Sequence, residues 1–103
     1  MKVVPANSAD RPALLALMKE SHRQDNAASS AEWERTLTAI NTLLDDPQAG
    51  EACLIYDEAD QPIGYMIMCR GFSLDYGGYF TWIEETYLRK AEQKRFRDQR
   101  FSP

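Results

Sequence analysis

The chain has 103 residues, 44% of them apolar, and a formal charge of −4. That length allows one domain with a small but real core, and the acidic balance argues against nucleic acid as a partner. The charge is unevenly spread: residues 1–88 carry 6 basic and 14 acidic side chains, whereas residues 89–103 carry 6 basic and 2 acidic ones. Cys53 and Cys69 have neither CxxC spacing nor a histidine-rich neighbourhood, so no metal site is expected and both read as buried reduced thiols. With no signal-like start and no apolar run of about 18 residues, the expectation is a cytoplasmic protein that does not enter the membrane.

In chain order, Lys2–Val4 reads as a short edge strand. Asp10 can cap the helix that follows, where Pro12 suits a first turn and Leu14, Leu17, Met18 and Ser21 form one face. His22 closes that helix and, with no Ser, Cys or metal ligand nearby in sequence, reads as a surface or helix-end histidine. A second helix opens on the capping-box spacing of Ser29 and Glu32 and repeats Trp33, Leu37, Ile40 and Leu44, with Leu43 alongside. Pro47 and Gly50 end it.

Ala52–Tyr56 then reads as a strand, DEADQP as a tight turn, and IGYMIMC as a central strand covered on both sides, with Gly64 at a bend or close approach. RGFSLDYGG is long and polar for a minimal hairpin loop. Tyr79–Leu88 is the last strand. Two helices followed by three strands imply an α+β domain with an antiparallel sheet covered by helices. The run KAEQKRF favours helix, so residues 90–100 are expected to be helical, with residues 90–103 as a basic tail.

The stretches KVVPANSADRPALLALM, LLDDPQAGEACLIYDEADQPIGYMIMCRGFSLDYGG and YFTWIEETYLR, taken in this order, resemble the N-terminal part of the GCN5-related N-acetyltransferase (GNAT) superfamily. The resemblance spans about residues 1–89 and implies a truncated GNAT-like domain over that range. It also implies acetyl-CoA as cofactor and an amine, small or peptidic, as acceptor. Of the adjacent carboxylates Glu84 and Glu85, one is implied as the base that accepts the amine proton, with Glu85 preferred. Tyr87, Leu88 and Arg89 are implied to support the cofactor arm, and Phe72, Asp75, Tyr76 and Tyr87 to shape the acceptor site.

The family follows its fourth strand with a glycine-rich loop whose open N–H groups hold pyrophosphate. Here Gln93 falls near that loop's first position, but no glycine occurs after Gly78, and later strands and helices have no counterpart. Strict alternation would put Glu84 with Phe80, Trp82, Thr86 and Leu88 on one face, and Glu85 with Tyr79, Thr81, Ile83 and Tyr87 on the other. Two readings follow. One is an acetyltransferase with weak or absent turnover; the other is a non-catalytic, homo-oligomeric interaction protein derived from one. In either case the open sheet edge predicts a homodimer.

Overall fold

The computed structural model describes residues 1–24 and 30–93, the side chains of Arg23 and Gln24 excepted. Strand β1 (Lys2–Pro5) leads through a 3-10 turn (Ser8–Asp10) into helix α1 (Arg11–Gln24), and α2 (Ser30–Asp45) follows. Strands β2 (Gly50–Tyr56), β3 (Pro62–Ser73) and β4 (Gly78–Leu88) complete a fully antiparallel sheet of order β1-β2-β3-β4. This is the expected α+β arrangement, helices first and sheet after.

The entry to α1 differs from the expected cap. Asn7, not Asp10, is the capping residue: its Oδ1 accepts the Ala9 N–H at 2.9 Å, and Asp10 Oδ2 accepts the Asn7 N–H at 3.0 Å. The reciprocal pair sits one turn earlier because a 3-10 turn precedes the α-helix, and either side chain satisfies the open donors. The Ser29 half of the second capping box lies outside the described residues. Thr36, Thr38 and Thr42 return their hydroxyls to the carbonyls of Glu32, Glu34 and Thr38, which lets α2 carry threonines on its outer side.

Both helices pack on one face of the sheet. Leu14, Leu17 and Met18 of α1 and Ile40 and Leu43 of α2 meet Ala52, Leu54, Tyr65, Ile67 and Tyr87, with Trp33 and Leu44 against the cluster. Burying each large apolar side chain contributes about 1.5–3 kcal/mol relative to exposing it. His22 and Trp33 make an edge-to-face contact, ring centroids 5.9 Å apart, that ties α1 to α2. The opposite face, with Val3, Ile55, Met66, Met68 and Ile83, is not part of that core. β3 is therefore covered by helices on one side, not on both, among the described residues.

The β2–β3 connection is built on Asp57. Its Oδ1 accepts the N–H groups of Ala59 at 2.8 Å and Gln61 at 2.9 Å, while Asp60 takes the left-handed conformation at φ 59°. RGFSLDYGG is not a long loop. β3 runs on to Ser73 and pairs with Gly78, so only Leu74–Gly77 turns. Beyond β4 a helical turn opens over Lys90–Gln93, and the rest of the expected helical tail lies outside the described residues.

Candidate active site

The register of β3 against β4 sets the geometry. Ile67 pairs with Glu85 but Met68 pairs with Ile83, so Glu84 is an extra residue bulged out of β4. Ile67 and Cys69 lie two apart on β3 and share the helix-packed face. Their partners Glu85 and Trp82 therefore share it too, although they lie three positions apart. Glu84 Oε2 accepts the Trp82 indole N–H at 2.6 Å, which holds Glu84 toward that same side. The expectation of opposed carboxylates is thus corrected. Strict alternation fails where the bulge adds a residue, and Thr86, Leu88, Ile83, Thr81 and Tyr79 fall on the uncovered face.

Glu85 stands at the margin of the core. Its Oε2 accepts the hydroxyl of Tyr65, a residue with no exposed surface, and lies 3.3 Å from His22 Nε2. Both partners engage Oε2, and among the described residues Oε1 takes no hydrogen-bond partner. The side chains of His22 and Glu85 are 21% and 36% exposed, so the pair is shielded from one side but reachable from the other. His22 is thus not a partnerless helix-end residue. The last turn of α1 crosses β4 and delivers it to a carboxylate 63 positions later.

A second node lies two residues earlier on α1. Glu20 Oε1 accepts the Tyr87 hydroxyl at 2.8 Å and Arg89 Nε at 3.0 Å, while Oε2 accepts Arg89 Nη2 at 3.2 Å. The Arg89 hydrogen bonds, then that of Tyr87, hold the Glu20 carboxyl below its usual range against a smaller opposing effect of burial. The same bonds push Arg89 up. Both thiols are also shifted up, first by burial and then by a nearby carboxylate, Glu51 for Cys53 and Glu84 for Cys69.

The remaining expected site residues divide. Tyr87 is buried with its hydroxyl committed to Glu20, Arg89 N–H donates to Ile63 O at 3.0 Å, and Leu88 O accepts from Gln93 Nε2. Since Arg89 turns its backbone toward β3, ladder alternation turns Leu88 and Thr86 toward the outer edge. Phe72, Asp75 and Tyr76 lie at the far tip of the hairpin, exposed and apart from the Glu85–His22 pair. Sequence reasoning missed His22, Tyr65 and Glu20. The one available signal was that His22 directly follows the buried position Ser21, and Tyr65 was hidden in a run that reads as packing.

A cleft of about 430 Å³ opens at the start of β2, between Leu43, Leu44 and Pro47 on one side and Glu51, Met68 and Arg70 on the other. None of the candidate residues lines it, and the carboxylate surroundings carry more chemistry than this cleft. Among the described residues there is no group of three or more His, Cys, Asp or Glu able to hold a metal, and no helix long and apolar enough to cross a membrane.

With this geometry in hand, the fold can be set beside solved structures. An integron cassette protein from the mobile metagenome of Cole Harbour Salt Marsh superposes with a TM-score of 0.76 at 28% identity, over 86% of this chain and 57% of that one. A possible acetyltransferase from Clostridium difficile 630 superposes with a TM-score of 0.73 at 15% identity, over 96% of this chain and 64% of that one. The chain shares its fold with both structures. The chain spans less than two thirds of either structure. No protein-family model and no curated protein matches the sequence.

Proposed function

We propose that this chain is a GNAT-like acyltransfer domain, acting in the cytoplasm on an amine with acetyl-CoA as donor, and that turnover by the 103-residue chain alone is weak or absent. The observation that carries the reading is the half-exposed Glu85, fixed through Oε2 by Tyr65 and His22 with Oε1 left open. An acceptor amine must shed a proton before it attacks, and Oε1 is the oxygen that takes no hydrogen bond among the described residues. Tyr65 and His22 keep the carboxylate in one orientation, so no reorganisation is needed when the proton arrives. When bound, an acetyl thioester would supply the acyl group: the amine nitrogen would take the acetyl carbon, Glu85 the amine proton, and the sulfur would depart as a thiolate that picks up a proton from solvent.

The fit to acetyl-CoA is partial. The outward backbone of Thr86 and Leu88 suits an extended amide-bearing arm, since an open strand edge offers alternating donors and acceptors. The side chains of Tyr87 and Arg89 are already engaged with Glu20, and no glycine follows Gly78 to form a pyrophosphate cradle. Lys94 and Arg95 add positive charge that attracts phosphate. Hence residues 1–89 are proposed as the GNAT-like domain and 90–103 as a basic appendage.

A second reading rests on its own observation. β4 ends the sheet, and Val3 and Ile83 on the uncovered face are 53% and 59% exposed. A non-catalytic homodimer that pairs β4 edges or buries this face would remove both liabilities. Calorimetry with acetyl-CoA, followed by an amine-panel assay, separates the two. The acyltransfer reading expects saturable binding, with Glu85→Gln reducing any turnover by about 100-fold or more. No binding up to millimolar ligand would leave the homodimer standing alone.

A further inference from the structure

The β3–β4 hairpin extends past the helices, and its aromatic rings lie outside the core. On the helix-side face, Gly71 pairs with Phe80, and the side chain it lacks would collide with Phe80 and Trp82 ring atoms at 2.8 to 3.0 Å. The two rings therefore lie down over the glycine backbone, a packing that covers their undersides and turns their outer faces to solvent. They are 5.4 Å apart and tilted by 34°, and Tyr76 continues the row 5.8 Å from Phe80. Neither Phe80 nor Trp82 joins the helix-packed cluster. Trp82 is 40% and Tyr76 79% exposed.

The stretch of chain that forms this shelf carries charge of one sign. Between Arg70 and Arg89 the chain contains Asp75, Glu84 and Glu85 and no basic residue. Glu84 is anchored to the shelf itself by the Trp82 indole, so a carboxylate stands fixed beside the ring row. The other face of the same hairpin already seats a cation: Arg70 lies over Tyr79 with its guanidinium carbon 4.9 Å from the ring centroid.

We propose that the Trp82–Phe80–Tyr76 shelf, with Glu84 at its end, binds an organic ammonium borne on an apolar or aromatic body. The body lies on the rings and the ammonium faces Glu84 and the Trp82 π-face. The bulge gives the shelf a consequence for chemistry, because it sets Glu84 and Glu85 as neighbours on one side of β4. A ligand held by the first is presented to the second. That this ligand is the acyl acceptor rests on the proposed acyltransfer function; its binding does not.

The two indole N–H resonances of the folded protein, from Trp33 and Trp82, provide the test without altering the chain. Titration with 2-phenylethylammonium is expected to move the Trp82 signal saturably, with neutral 2-phenylethanol binding about tenfold more weakly or worse. Glu84→Gln should weaken the ammonium by about tenfold. By calorimetry, which needs no indole signal, Trp82→Leu should abolish binding; if that variant does not fold, Trp82→Phe, which keeps a ring but loses the indole that anchors Glu84, should weaken it. Glu85→Gln should weaken the ammonium less than Glu84→Gln does while reducing any turnover by about 100-fold or more, so failure of catalysis and failure of binding are read separately. Equal affinity for the alcohol and the ammonium, an unchanged affinity in Glu84→Gln, or no saturable shift would each overturn the proposal.

Discussion

Glu20 shows how one side chain joins helix to strand. It accepts from both Tyr87 and Arg89, so α1 is bonded to the end of β4 two and four residues beyond Glu85. Because the Glu20 carboxyl titrates lower in the folded chain than its unfolded value of 4.5, these bonds contribute stability above that value. The contribution is lost as pH falls through the lower folded value. Glu20 and Arg89 are 36% and 47% exposed, so solvent screens the pair. Glu20→Gln is expected to cost about 0.5–1 kcal/mol at neutral pH, and the difference from wild type should shrink as the pH falls below 4.5 in urea denaturation. The thiols offer a second check at this scale. Both are pushed up and so stay protonated at neutral pH, and Cys53 is 5% exposed whereas Cys69 is half-buried. Mass spectrometry after iodoacetamide should find Cys69 alkylated first, and both slower than in the unfolded chain.

At the level of elements, β3 and β4 approach most tightly at Gly64. An added Cβ there would stand 2.2 Å from the Tyr87 carbonyl oxygen, which is backbone and cannot rotate away. Gly64→Ala is therefore expected to cost about 2–3 kcal/mol, read as a lower urea midpoint. Gly78→Ala meets nothing within 4 Å and should stay within about 0.5 kcal/mol of wild type. The elements themselves were largely legible. Leu14, Leu17, Met18 and Ser21 recur at helical spacing and are all buried, and Pro47 and Gly50 mark the passage from α2 to β2. The cap of α1 was misplaced because Asn7 and Asp10 are both competent side chains, and only the 3-10 turn chooses between them. The hairpin was read as a loop because its exposed strand ends, Phe72–Ser73 and Gly78–Tyr79, are held by pairing across the turn and carry no amphipathic signal.

For the whole molecule, one-sided packing is the governing feature. Leu14, with no exposed surface at the centre of the helix-covered face, should cost about 2–5 kcal/mol when replaced by alanine, with thermal denaturation as the readout. The uncovered face and the β4 edge predict an apparent mass that rises with concentration in sedimentation equilibrium. Ile83→Lys, on that face, should shift the distribution toward monomer, and a concentration-independent monomer in wild type would remove this prediction's basis.

The sequence by itself determined the class and the order of elements, because apolar periodicity and turn chemistry act over a few residues and are written locally. It also marked Glu84 and Glu85, since two adjacent acids in an aromatic strand stand out. Which side they face was a tertiary decision. A bulge exists only relative to a partner strand, and the shift between Ile67 and Met68 appears when β3 and β4 are laid side by side. The same holds for the groups around Glu85. Tyr65 lies 20 residues away and His22 63, and no local pattern relates them. The pairing of β3 with β4 sets the core tyrosine beside Glu85, and the docking of α1 brings a helix-end histidine to the same carboxylate oxygen.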